Sequence, residues 1–431
     1  MIMLKSKMFK KSLVVAALTL SSAIAAPAFA QEGGKAAKPS GPVVCPGYEK
    51  GKTNLVGQRV GKKVQSAYEA YGEDLIDDAI QMLRDIEPSE DFDKAYVNRL
   101  LGNMLATKEG KGGEALKLLK SSVEPKVLND LEHSQTLKLV ADLSLQEQEY
   151  KQAIEYYQSW LDFTCKEEPE VYLRMSNAYY ELKDYESVIA PADQAIALYE
   201  EPNKNAYVLK LSAYYERKMY PETISVAEDI VNTFPEEGKW WVQLGQFYLM
   251  VEDYKKSLST LEIAYNNGFV DKPNLLKMLS QLYATNDMPF KSAEFMAENI
   301  KNGKVERNAD NLASVANSYH QALEHEKAAK YYEMAAKMSS DPEYYRKQGV
   351  LLLVAEDYKG AITALKNALD RGVEDPAKVH FSLMEANFYA GDFKQAYMHI
   401  QEAKKDRTLR RNANAWEPYI KQKAKNRGIN I

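Results

Sequence analysis

Two cysteines and five histidines are all that a chain of 431 residues offers for thiol chemistry or imidazole ligation. His320 and His325 stand five residues apart, a spacing that on one helix turns them about 140° away from each other. His133, His380 and His399 have no cysteine or paired carboxylates beside them in sequence, so neither a zinc nor a calcium site is expected. No G-x-S-x-G motif and no cysteine–histidine nucleophile pattern occurs, and no catalytic residue or cofactor is expected. The stretch Pro46-Gly47-Tyr48-Glu49-Lys50-Gly51-Lys52-Thr53 ends like a phosphate-binding loop but is too short. Three residues separate Gly47 from Gly51 where that loop needs four, and Pro46 stands where its first glycine would be. Beyond residue 30 the longest apolar run is Val350 to Ala355, far below the ~20 residues that span a bilayer.

What is present begins with an export signal. Lys5, Lys7, Lys10 and Lys11 precede an apolar run from Leu13 to Ala26, and Ala28-Phe29-Ala30 forms an A-x-A cleavage site. Residues 1–30 therefore read as a cleaved signal peptide and the mature protein as periplasmic, with no stable membrane insertion. Losing the leader's four lysines takes the formal charge from −5 to −9, which disfavours nucleic acid as a partner. That charge is uneven. Residues 404–431 hold nine Lys and Arg against Asp406 and Glu417, a balance of +7, and leave −16 for residues 31–403. Leu409, Ala413, Trp416 and Ile420 recur at helical spacing in this basic segment, which suits a capping helix over the last structural unit. Two cysteines in an exported chain suggest one disulfide, Cys45 to Cys165. The Pro- and Gly-rich linker 31–62 makes it feasible, since about 19 residues after Cys45 can extend ~60 Å.

The body of the chain repeats itself. Tyr150, Tyr185, Tyr220, Tyr254, Phe290, His325, Tyr358 and Phe393 recur at intervals of 33 to 36 residues. Three residues beyond each lies a small or β-branched side chain (Ala153, Val188, Thr223, Ser257, Ala293, Ala328, Ala361, Ala396), and apolar residues follow at seven and ten. Offsets of three, seven and ten share one face of a helix, so each marker opens an amphipathic helix. Upstream of one marker, Trp241, Leu244, Gly245 and Tyr248 reproduce W-x2-L-G-x2-Y. On these residues the chain resembles tetratricopeptide-repeat proteins, clearly over 134–403 and in degenerate form over 63–133. Ile76, Ala79, Leu83 and Ile86 mark one degenerate unit, and Ala115, Leu119 and Ser122 another. The expected fold is an all-α solenoid of about ten helix-turn-helix repeats, a right-handed superhelix whose last unit is covered by the basic helix 404–431.

The resemblance further implies a concave groove lined by the first helix of each repeat, at positions eight and five residues before the marker. Asn177, Ser212, Gln246, Gln281 and Asn317 form a polar, uncharged row there, suited to the backbone of an extended peptide. Tyr180, Tyr215 and His320 stand in the second row, where the tyrosines offer amphipathic contact area. The Lys and Asn pattern of a chaperone-type carboxylate clamp is not reproduced. A narrower likeness covers Pro42 to Gly47, Val60 to Gln65 and Asp91 to Arg99, which are similar to exported tetratricopeptide proteins proposed as components of TonB systems in marine gamma-proteobacteria. It implies a scaffold that binds a protein partner, such as a component of a TonB, ExbB and ExbD complex serving outer-membrane nutrient uptake. The alternative is an accessory of envelope or surface-polymer assembly that binds glycan or lipid.

Overall fold

A computed structural model describes residues 41–431 apart from residues 52 and 340. The leader assigned to 1–30 and the start of the linker lie outside the described residues. All regular structure among the described residues is helical. The chain divides into two compact units, one ending at Met219 and one running from Tyr220 to Ile431.

The first unit contains α1 (Gln58–Gly72), α2 (Ile76–Arg84), α3 (Asp91–Ala106), α4 (Gly112–Val123), α5 (Asp130–Gln146), α6 (Tyr150–Thr164), α7 (Pro169–Glu181), α8 (Ile189–Leu198) and α9 (Lys204–Glu216). The second contains α10 (Tyr220–Thr233), α11 (Gly238–Met250), α12 (Tyr254–Asn266), α13 (Pro273–Thr285), α14 (Pro289–Lys301), α15 (Ala309–Gln321), α16 (His325–Met338), α17 (Pro342–Val354), α18 (Tyr358–Asp370), α19 (Pro376–Tyr389), α20 (Phe393–Ala403) and α21 (Arg410–Asn426). Within each unit consecutive helices pack as hairpins, and each hairpin packs on the next. This is an α-solenoid of tetratricopeptide-type hairpins. The helices begin at Gln58, inside the stretch assigned to the linker, because Val60, Val64 and Ala67 bury one face of α1 against Leu83, Leu101 and Leu105.

The turn inside each hairpin is built by backbone geometry that the repeat pattern does not display. A residue with positive φ stands two positions before the second helix at Asp74, Gly110, Gln148, Lys218, Glu252, Asp287, Leu323, Glu356 and Gly391, and in the remaining hairpin Lys183 stands six positions before α8. In the α11–α12 turn the Glu252 N–H donates to Leu249 O at 3.1 Å and the Asp253 N–H to Tyr248 O at 2.9 Å. This pair of bonds satisfies carbonyls that the helix end would otherwise leave open. The hairpin then closes on a small residue of the first helix. A Cβ on Gly245 would meet Leu261 Cγ at 2.5 Å, and one on Gly349 would meet Leu365 Cγ at 2.6 Å. Serines reinforce the same approach, as where Ser257 Oγ donates to Gly245 O at 2.8 Å.

Tyr185 departs from the pattern, since α8 starts only at Ile189. A helix opened at Tyr185 would hold Pro191 in its interior, where the missing N–H and the ring break the ladder. Turns over 185–188 move Pro191 into the first helical turn, where no N–H is needed. Phe290 is also displaced by one position, because Pro289 begins α14 and makes Ser292 and Met296 core residues. At the end of the second unit α21 buries Ala413, Ile420 and Ala424 on Met384, Phe393 and Ile400, with Trp416 edge-on to Phe388 at 5.4 Å.

The linker is held as a strap over the first unit. Cys45 and Cys165 are joined by a disulfide, with Cα atoms 4.9 Å apart. Val44 N–H donates to Thr164 O at 2.8 Å, Tyr48 Oη to Asp130 Oδ1 at 2.7 Å, and Asn54 Nδ2 to Val127 O at 2.9 Å. Gly57 N–H then donates to Asp93 Oδ1 at 2.9 Å, which delivers the chain into α1.

Candidate partner-binding surface

In the first unit Asn177 and Tyr180 project from α7 and Ser212 and Tyr215 from α9, helices that lie side by side. Tyr180 and Ser212 come together through a side-chain hydrogen bond. The Tyr180 ring also packs on Tyr185 at 5.4 Å, and burial, seconded by Glu216, raises the pKa of its phenol. Tyr215 is exposed and Asn177 half-buried. These four residues form a patch with aromatic area and hydrogen-bonding groups, but the Tyr180 hydroxyl is already engaged.

In the second unit Gln246 on α11 and Gln281 on α13 are exposed. Gln281 borders an open depression of about 510 Å³ lined also by Leu249, Tyr254, Asn274, Lys277 and Met278. Its floor is apolar. Asn274, Lys277 and Gln281 recur along one face of α13 and place two amides and an ammonium at its edge. An apolar side chain of a partner fits such a floor while amides meet its backbone.

Asn317 and His320 on α15 are exposed as well, but each has a local role. The Tyr332 hydroxyl donates to Asn317 Oδ1, so the amide oxygen of Asn317 braces α15 to α16. Asp142, eight residues before the marker Tyr150, accepts from Tyr157 in the same way, at 2.5 Å, in the first unit. The expected divergence of His320 and His325 is corrected by the structure. Their ring centroids lie 6.0 Å apart, because α15 ends at Gln321 and the turn reverses the chain before His325.

His380 and His399 require a larger correction, since they are not isolated. The Nδ1 atoms of the two rings, on α19 and α20, are 3.0 Å apart and share one hydrogen bond. His399 Nε2 is buried without a hydrogen-bond partner among the described residues. Burial, seconded by the facing His380, pushes the His399 imidazole down to about 4, and burial also lowers His380. Glu402 and Asp392 pull His399 upward, Lys366 pushes it downward, and Lys405 does the same to His380. The folded pKa lies below the unfolded value, so this contribution is complete above about pH 6.5 and is lost as pH falls toward 4. Acidification from pH 7 to pH 5 should cost about 1 kcal/mol through this pair, allowing for its partial exposure. The check is the urea midpoint at both pH values beside a His380→Leu/His399→Phe variant. Equal pH slopes in the two proteins would refute it.

Repeated phenol–carboxylate–ammonium ladders tie neighbouring hairpins and escaped the sequence reading. Tyr283 donates to Glu262 at 2.7 Å while Lys291 reaches the same carboxylate at 2.6 Å and lies 4.4 Å from the Tyr283 ring centroid. Tyr248, Glu228 and Lys256 repeat the arrangement, as do Tyr319, Glu294 and Lys327. Burial raises Glu262, yet the bonds from Lys291 and Tyr283 outweigh it and hold this carboxylate below its usual range. The available signal was a lysine two residues beyond each helix start, at Lys256, Lys291 and Lys327.

Among the described residues no group of three or more His, Cys, Asp or Glu is placed to hold a metal ion, and no helix is long and apolar enough to cross a membrane. No family model matches the chain, and no curated protein matches it. Solved structures do match. The C-terminal part of a TPR repeat-containing protein from Cytophaga hutchinsonii is 16% identical, covering 56% of this chain and 98% of its own, with a TM-score of 0.35. A tetratricopeptide repeat protein from Parabacteroides merdae is 15% identical, covering 69% of this chain and 100% of its own, with a TM-score of 0.34. YrrB, described as a TPR protein with an unusual peptide-binding site, is 13% identical, covering 47% of this chain and 99% of its own, with a TM-score of 0.34.

Proposed function

We propose that this chain is a non-catalytic, exported scaffold that binds a segment of a partner protein, with the depression between α11 and α13 as its principal docking point. The observation that supports this reading is the apolar floor of Leu249 and Met278 edged by Asn274, Lys277 and Gln281. The patch of Tyr180, Ser212 and Tyr215 is a second point of attachment. The reading involves neither cofactor nor nucleic acid.

The narrower proposal is service in a TonB, ExbB and ExbD system, on the strength of the N-terminal resemblance. The resembling stretches are packing elements in this chain. Cys45 anchors the strap, Val60 and Val64 pack α1, and Asp93 on α3 receives the Gly57 N–H. They do not line the depression.

A photo-crosslinking residue at Gln281, with a control at exposed Lys301 on α14, tests the docking point in the native envelope. A protein adduct is expected from position 281 and not from 301, and Lys277→Glu, at an exposed position on the edge of the depression, should weaken it without lowering the Tm. Equal adducts at both positions, or an adduct unchanged by Lys277→Glu, would place binding elsewhere. A product containing TonB, ExbB or ExbD would support the narrower role, and a glycan or lipid product the envelope-assembly alternative. Unchanged TonB-dependent uptake after deletion of the protein would count against the TonB role.

A further inference from the structure

The last helix of the second unit and the first hairpin of the first unit carry opposite charge at their exposed positions, and on the former Tyr419 rests one side of its ring on Phe388 of α19 at 5.1 Å while staying partly open. On α21 the buried stripe is Ala413, Ile420 and Ala424, and the other side presents Arg411, Ala415, Tyr419 and Lys423 at intervals of four. Tyr419 is 47% exposed, with the Lys423 ammonium 5.3 Å from its ring centroid. Lys404 and Lys421 share Glu417, but Arg407, Arg410, Arg411, Lys423 and Lys425 make no ion pair among the described residues. A cap that served only to cover the last repeat would need a polar outer face. It would not need this many unpaired cations along one short segment.

The matching surface is on α2. Residues 69–91 hold nine carboxylates against Arg84 alone. Along α2, Ala79, Ile80 and Leu83 are buried, while Leu75, Asp78, Met82 and Asp85 recur at spacings of three, four and three on the open side. Leu75 is 47% and Met82 41% exposed. Asp77 is taken by Lys108, whereas Glu73, Asp74, Asp78 and Asp85 make no ion pair among the described residues. Both faces thus interleave apolar and charged residues, with the charge negative on α2 and positive on α21. Each is the kind of surface that the other would cover.

We infer that copies of this chain associate head to tail, α21 of one copy docking on the α2 face of the next. Tyr419 meets Leu75 and Met82, and Arg411 and Lys423 meet Asp78 and Asp85. The two faces differ, so the contact is heterologous and leaves one of each kind free on every dimer. Association therefore continues beyond two copies into chains or closed rings. The contact is surface-exposed and charge-led, so it is weak and salt-sensitive.

Sedimentation velocity of the full mature chain over a range of concentrations, at about 0.02 M and about 0.5 M NaCl, provides the test. At low salt the mean mass should rise with concentration past that of a dimer, and at high salt it should return to that of one chain. Asp78→Lys/Asp85→Lys should weaken association at least tenfold, and Arg411→Glu/Lys423→Glu should do the same. An equimolar mixture of the two variants should recover it, because each reversed face then meets its complement on the other protein. Unchanged Tm values keep the variants interpretable, since all four positions are exposed. A single-chain mass at every concentration in low salt, or no recovery in the mixture, would overturn the inference. So would concentration-independent mass with capture on phosphatidylglycerol vesicles lost in the α21 variant, which would assign that face to a lipid surface instead.

Discussion

Replacing Cys45 with serine should lower the unfolding free energy of the first unit by about 3 kcal/mol. The bridge spans a sequence separation of 120 residues, for which chain entropy alone gives a ceiling of about 5 kcal/mol. The expected loss is smaller because Val44, Tyr48, Asn54 and Gly57 keep their bonds to the hairpins when the sulfurs part. Urea unfolding of wild type, wild type with reductant and Cys45→Ser measures it. Reductant and substitution should act alike and should not add. The intact mass before and after reduction and alkylation must show no free thiol at the start; two alkylatable thiols in unreduced protein would remove the basis of the prediction. A reduced protein as stable as the oxidised one would show that the strap's hydrogen bonds suffice.

Arg174→Met should cost about 3 kcal/mol, because it strands a carboxylate rather than because an ion pair is lost. Arg174 on α7 reaches Asp142 on α5 at 2.5 Å and Glu170 at 3.0 Å, and Asp142 also accepts from fully buried Tyr157. Burial opposes the charge on Arg174, but Asp142 overrides it and raises the guanidinium pKa further. Burial, seconded by Asp142, likewise raises the Tyr157 pKa and keeps the phenol a donor. With the guanidinium gone, Asp142 stays mostly enclosed with one phenol for company. Adding Asp142→Asn should return at least half of the loss, since an amide can still accept from Tyr157. A double variant as unstable as Arg174→Met would instead assign the loss to packing of the arginine stem.

Much of the fold was legible because a repeat announces itself through spacing. Seven of the eight markers open a helix at the marker or one residue before it, and Tyr185 fails because Pro191 cannot stand inside a helix opened there. The degenerate units at Ile76 and Ala115 were legible from their small and apolar residues alone. The turns were less so, since only Gly110 and Gly391 among the ten left-handed positions are glycine. In the other eight, the hairpin imposes a strained backbone on residues such as Leu323 and Lys218.

The candidate surface was legible in part. Helical spacing placed Gln246 and Gln281 on exposed faces, yet nothing in it distinguished them from Asn317, whose oxygen is consumed by Tyr332. Leu249 becomes a neighbour of Lys277 and Met278 only because α12 and its flanking turns separate them in sequence and not in space. The same reason hid the facing of His380 on His399.

Periodicity alone determined that this protein is a row of helical hairpins, because the offsets that recur along one chain are set by helix geometry and need no knowledge of what packs across from them. Only tertiary structure decided which polar side chains remain available to a partner. A phenol, a carboxylate or an imidazole is spent or spared according to the group opposite it, and that group comes from another helix.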